Sequence, residues 1–188
     1  RARVDETLVA VGLDPAVHRD RRPGALSGGQ CQRVAIARAL VAGAKVLVCD
    51  EPISSLDVSL RATVLNLLED LKAERDLTIV FIAHDLAVVR NVSDRIMVMY
   101  LGTVVEVAES AELFADPRHP YTQALIASVP KVDGAVATPI LGDPPSPLDV
   151  PSGCRFRTRC PLAVDHCAVE APALRDFGGG HTVACHLA

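Results

Sequence analysis

The feature that most constrains the fold is an ordered pattern: an apolar run at 46–49, a long amphipathic stretch at 58–75 and a second apolar run at 78–83. Leu60, Val64, Leu67, Leu68 and Leu71 recur on one helical face of the middle segment, and Asp57 stands where it can cap that helix. The second run is β-branched and apolar on both faces, as a buried parallel sheet requires. Strand, helix and strand in this order place the chain in the α/β class. The composition allows a core, because 49% of residues are hydrophobic and 22% charged, which excludes a disordered chain. A net charge of −4 without a Lys/Arg block, 3% aromatics and no Trp argue against nucleic acid as a partner. No apolar stretch approaches the roughly 18 residues of a membrane-crossing helix, so any membrane role is expected to run through a partner.

Further helical patterns are expected at 4–11, 28–42 and 85–91, with a hairpin at 95–100 and 103–108 turning through Leu101-Gly102. Three regions follow: an α/β body at 1–108, a helical connector and Pro-rich linker at 109–153, and a short tail at 154–188 that holds four of the six cysteines.

Four short motifs carry chemistry. Leu26-Ser27-Gly28-Gly29-Gln30 stands directly before a strong helical pattern. The free N–H groups and dipole of a helix start favour an anion, phosphate above all, and two glycines let a ligand approach the backbone. Taken alone, Ser-Gly-Gly is more simply a helix cap. The run at 46–49 leads into Asp50 and Glu51. A carboxylate at a strand's C-terminal end can hold Mg2+, and its neighbour can polarise an attacking water; alone, the two are also ordinary solvated turn residues. Asp57 by itself is only a cap. His84 follows the second strand at the sheet edge where α/β proteins bind ligands, or else is a plain surface histidine.

In this order and spacing the four motifs resemble the nucleotide-binding domain of ABC transporters, which has a P-loop NTPase fold. The resemblance covers residues 1–108 and implies a role for each motif. Ser27, Gly28, Gly29 and Gln30 match the signature motif, Asp50 the Walker B aspartate that holds Mg2+, Glu51 the catalytic glutamate, Asp57 the D-loop aspartate and His84 the switch histidine at the γ-phosphate. It implies ATP and Mg2+ as cofactors, and a second ABC ATPase subunit, identical or paralogous, whose nucleotide the signature residues meet in trans. Ser55 stands where the family usually has Ala. No G-x-x-x-x-G-K-[ST] segment occurs in the chain, so the phosphate cradle of its own half-site is lacking. The sequence therefore reads as the C-terminal part of a longer polypeptide, inactive in isolation: a partial P-loop NTPase with a small Cys-rich C-terminal extension. The alternative is a non-catalytic module that lends its signature motif to a partner ATPase.

Asp116-Pro117-Arg118-His119-Pro120-Tyr121-Thr122-Gln123-Ala124-Leu125 and Gly153-Cys154-Arg155-Phe156-Arg157-Thr158-Arg159-Cys160-Pro161 resemble segments that follow this domain in the ATPase subunits of oligopeptide and dipeptide importers, a group that includes nickel importers. That resemblance implies ATP hydrolysis that powers peptide import, transmembrane permease subunits as partners, an external substrate-binding protein acting indirectly, and a peripheral place on the cytoplasmic face of the inner membrane. Cys154, Cys160, Cys167 and Cys185 lie in a tail with little apolar surface, which needs a staple. Disulfides are disfavoured in a reducing cytosol. Four thiolates suit zinc, although no Cys pair has the usual knuckle spacing, and they also suit a [4Fe–4S] cluster, which Cys160-Pro161 echoes. The resemblance implies the cluster, with Zn2+ as the alternative and His166, His181 and His186 as further candidate zinc ligands.

Overall fold

The computed structural model describes residues 1–54, 56–129 and 142–188. Ser55 and much of the expected Pro-rich linker, 130–141, lie outside the described residues. The chain forms two units, Arg1–His84 and Asp85–Ala188.

In the first unit, α1 (Ala2–Ala10) ends at a turn where Gly12 takes φ +70°, a left-handed conformation that glycine adopts without strain. Arg33 ties that turn down, its Nη1 donating to the Val11 carbonyl at 3.1 Å. Next comes α2 (Pro15–His18), where Asp14 Oδ1 accepts from the Ala16 amide at 2.9 Å and Pro15 fills a position with no amide hydrogen to satisfy. A short 3-10 turn (Pro23–Ala25) leads to α3 (Gly28–Leu40). β1 (Val46–Asp50) and β2 (Thr78–Ile82) pair in parallel, in register from Val46 opposite Thr78 to Asp50 opposite Ile82. Their crossover is α4 (Val58–Arg75), whose Val64, Leu68 and Leu71 are buried and whose exit residue, Asp76, is left-handed.

The expectation that the strands are buried on both faces is corrected. Leu47 and Cys49 are buried, but Val46, Val48, Val80 and Ile82 are 56%, 61%, 45% and 46% exposed. A single crossover helix offers its apolar stripe to one face of the pair and leaves the other open.

The second unit opens with α5 (Leu86–Val92), capped by Asp85 Oδ1, which accepts from Ala87 at 2.9 Å and Val88 at 3.3 Å. β3 (Arg95–Tyr100) and β4 (Thr103–Glu109) form the expected hairpin, turning through two successive left-handed residues, Leu101 and Gly102. Such a turn matches the natural twist of the strands. α6 (Ser110–Ala115) and α7 (Pro120–Ala127) follow, and the tail adds α8 (His166–Val169), β5 (Arg175–Asp176) and β6 (Thr182–Val183). The sheet order is β3-β4-β6-β5, all antiparallel, so the tail returns to pair with the hairpin at Glu106–Val183 and Val107–Thr182.

The tail also has more apolar anchorage than its composition suggests. Phe156 is 2% exposed, with its ring centroid 5.2 Å from Tyr100, 5.3 Å from Tyr121 and 5.8 Å from His119. Aromatic contacts at these distances stabilise beyond their buried area.

Candidate functional site

Ser27, Gly28, Gly29, Gln30, Asp50, Glu51, Asp57 and His84 all belong to the first unit. The signature-like run folds as a capping box at the start of α3. The Ser27 hydroxyl accepts from the Gln30 amide at 3.3 Å, and Gln30 Oε1 accepts from the Ser27 amide at 3.0 Å. Both bonds are local, so the motif specifies its own helix start. The two glycines differ in kind. Gly28 is exposed, and a Cβ there would meet nothing nearer than Leu56 at 4.0 Å. Gly29 is buried, and a Cβ there would come within 3.3 Å of Leu60 on α4, so its missing side chain serves close helix packing.

Asp50 ends β1 with its side chain exposed, opposite Ile82 in the parallel ladder. Glu51 extends that ladder by one bond, its amide donating to the Ile82 carbonyl at 3.0 Å. The chain then turns sharply, and Glu51 takes φ +44°. The Ser54 amide and hydroxyl both donate to the Glu51 carbonyl, at 3.2 and 3.0 Å, and close the turn. Because β1 and β2 run in parallel, the residues just past their ends meet. His84 Nδ1 lies 3.3 Å from Glu51 Oε1. His84 and Glu51 remain 75% and 51% exposed, so the pair adds little to stability and is open to a ligand.

Asp57 caps α4, its Oδ1 accepting from the Leu60 amide at 2.9 Å and the Ser59 hydroxyl at 2.7 Å. The Leu60 amide first, then the Ser59 hydroxyl, hold its carboxyl below the ordinary value. Cys49 is buried in β1, where burial pushes its thiol up and makes it inert.

Two family profiles match the chain. One described as ABC transporter covers residues 1–54, and one described as oligopeptide/dipeptide transporter, C-terminal region, covers residues 105–167. The putative oligopeptide transport ATP-binding protein YkfD of Bacillus subtilis is 50% identical over 98% of this chain and 57% of its own length. The oligopeptide transport ATP-binding protein OppF of Escherichia coli is 48% identical over 98% of this chain and 56% of its own. The chain is similar to ABC transporter ATP-binding proteins along nearly its whole length. It spans a little over half the length of these relatives. Two solved ABC proteins share the fold over 62% of the chain. MJ1267, an ATP-binding cassette of an ABC transporter in its ADP conformation, has a TM-score of 0.54 at 32% identity over 46% of its own chain. CbiO1 from Clostridium perfringens, part of the ABC transporter complex cbiONQ, has a TM-score of 0.55 at 37% identity over 45% of its chain.

The four cysteines expected at a metal centre all lie in the second unit. Among the described residues no three His, Cys, Asp or Glu side chains are placed as a ligand set. Cys154, Cys160, Cys167 and Cys185 are free thiols in one neighbourhood. Burial pushes the Cys154 thiol up, and nearby Cys167 and Cys185 add to that; the Phe156 and Arg157 amides pull the other way. Burial likewise raises Cys160, with Cys154, Cys185 and Cys167 adding and the Leu162 amide opposing. The Leu187 amide donates to Cys185 Sγ at 3.4 Å. Of the histidines weighed as zinc ligands, His181 is held between two carboxylates and His186 bonds the Glu170 carbonyl at 3.0 Å.

Sequence reasoning missed His18, whose Nε2 lies 3.3 Å from Gln30 Nε2, and the buried group of Glu106, His119 and His181. His18 belongs to no motif, and the other three become a group only when the tail folds back.

Proposed function

We propose that the whole protein carrying this chain is the ATP-hydrolysing subunit of an importer of dipeptides or oligopeptides, working as a dimer of ABC subunits on the inner face of the membrane with permease partners. The observation that carries this reading is the pairing of Glu51 with His84 just past two parallel strands. The peptide cargo is proposed from the relatives, which are oligopeptide transport ATP-binding proteins. Asp50, an exposed carboxylate at a strand end, suits the hard-oxygen preference of Mg2+ and would hold it. When bound, that ion would neutralise charge on the transferring phosphoryl group. Glu51 orients the attacking water and accepts its proton. His84 steadies the Glu51 carboxylate through Nδ1 and turns its second ring nitrogen to the γ-phosphate. The first amides of α3, with the Ser27 hydroxyl, meet the nucleotide held by the second subunit.

ATP binding and hydrolysis by the whole protein with its permease partners test this. Glu51→Gln should bind ATP and lose turnover by about 100-fold or more, as expected when the group that positions the nucleophile is removed. Brisk hydrolysis by that variant would remove the role given to Glu51.

The tail thiols are proposed to hold a [4Fe–4S] cluster, with Zn2+ as the alternative. Support comes from four free thiols in one neighbourhood of the tail. Such a group would cross-link four points of the tail. Iron and acid-labile sulfide in anaerobically purified protein, absent from Cys160→Ser, would support the cluster; zinc alone would replace it, and neither metal would end the proposal.

A second reading, the non-catalytic partner module, draws on the lack of a G-x-x-x-x-G-K-[ST] segment in the sequence. Peptides containing such a segment in the protein from its native host would dismiss it.

A further inference from the structure

The start of the signature helix is braced from behind. At the end of α2, His18 Nδ1 lies 2.9 Å from the Asp14 carbonyl oxygen. A carbonyl only accepts, so Nδ1 carries the hydrogen. On the other side of the ring, His18 Nε2 lies 3.3 Å from Gln30 Nε2, twelve residues on. An amide nitrogen only donates, so His18 Nε2 accepts.

The orientation of the Gln30 amide is set independently, because its oxygen accepts from the Ser27 N–H at 3.0 Å. Reversing the amide would turn its NH2 toward the Ser27 N–H and its oxygen toward the lone pair of His18 Nε2. Both contacts would become repulsive. The bonds from Asp14 through His18 and Gln30 to Ser27 are therefore consistent with one tautomer and one amide orientation. His18 and Gln30 are each half-buried, which limits competition from water.

We propose that His18 is a positioning residue for the signature motif. By accepting from Gln30 Nε2 it fixes the amide that holds the Ser27 backbone, and so keeps the Ser27 hydroxyl and the first amides of α3 aimed at the phosphate they meet in trans. This rests on the proposed ATPase function. His18 acts through Gln30 rather than on the nucleotide, so its removal slows turnover without weakening ATP binding to the subunit that holds it.

The test uses the whole ATP-binding protein assembled with its membrane partner. His18→Ala should lower kcat roughly three- to tenfold, the scale of one lost orienting hydrogen bond, and leave KM for ATP within about twofold. His18→Gln restores an acceptor oxygen and should recover most of the rate. Unchanged kcat in His18→Ala, or equal losses in both variants, would overturn the proposal. Nitrogen-15 shifts of the His18 ring give a second readout, independent of turnover. The Nδ1–H tautomer is expected, and the Nε2–H tautomer would overturn the proposal even if ATPase activity is sound. Absence of ATPase activity in the unmodified protein would instead remove the proposed function, leaving the ring tautomer to decide the hydrogen-bonded chain.

Discussion

Nε2 of His181 lies 2.7 Å from Oε1 of Glu106, 75 residues apart in sequence, and both side chains are fully buried. Glu106 also accepts from the amides of Arg118 at 2.8 Å and His119 at 3.0 Å, and His181 Nδ1 lies 3.0 Å from Glu112 Oε1. One carboxylate on β4 thus fastens both the tail strand β6 and the turn into α7. Removing one member of a buried pair strands the other, which costs about 3–5 kcal/mol. His181→Ala should lower the stability of the second unit by that amount, read from denaturant unfolding followed at the Tyr100 and Tyr121 rings. The double change Glu106→Met with His181→Leu should recover only part of the loss, because it leaves the Arg118 and His119 amides without their acceptor. A single variant with an unchanged midpoint would show that the pair contributes nothing.

Acid should weaken the fold through His119. Its Nδ1 accepts from the Tyr121 amide at 3.0 Å and caps α7, and the side chain is 1% exposed. Burial lowers its pKa from 6.5 to about 4, with the Glu106 charge opposing. The folded state keeps His119 neutral, whereas the unfolded chain takes up a proton at the ordinary value. Its contribution to stability is therefore complete above pH 6.5 and lost progressively as pH falls toward 4. The slope reaches at most about 1.4 kcal/mol per pH unit, roughly 3 kcal/mol in all. His119→Asn keeps a capping acceptor without a titrating ring, and unfolding midpoints between about pH 7 and pH 5 should flatten by that share. An identical slope in the variant would exclude His119 as the source.

Glu51 takes φ +44°, a conformation that disfavours every L side chain by about 1–2 kcal/mol. Glu51→Gly should therefore raise thermal stability by up to about 1 kcal/mol, after allowing for the greater freedom of glycine in the unfolded chain. The same variant should lose ATP turnover in the whole protein. A fall in Tm would show that the Glu51 side chain stabilises the turn more than its backbone strains it.

Gly153, next to the first tail cysteine, takes φ +64°, and a Cβ there would lie 2.4 Å from the Cys167 carbonyl oxygen. The obstacle is backbone, held by the Cys154 amide donating to that same oxygen at 2.8 Å. Gly153→Ala should cost about 2–4 kcal/mol, combining left-handed strain with overpacking. Faster proteolysis between Cys154 and Cys167 would report it, and unaltered resistance would show that the loop moves aside freely.

What the sequence determined by itself is local. The bounds of α4 at Val58–Arg75 follow from the Asp57 cap, a leucine period and basic residues in the last turn, all within one helix. The Ser27–Gln30 capping box closes over three residues. The meeting of Glu51 and His84 follows once the two strands are read as parallel, because each residue stands just past the end of its strand. Tertiary structure decided the rest. Glu106 on a hairpin strand reads as a solvated residue until β6 arrives beside it, and His181, which supplies the partner, comes from a short tail whose periodicity does not encode where it returns. Which face of the β1–β2 pair stays open, and which histidine braces Gln30, depend on how separate elements pack. Helical and strand periods are set by neighbours a few residues away. The pairing of distant buried groups is set by chain return, whose energy is gained only when the whole unit closes.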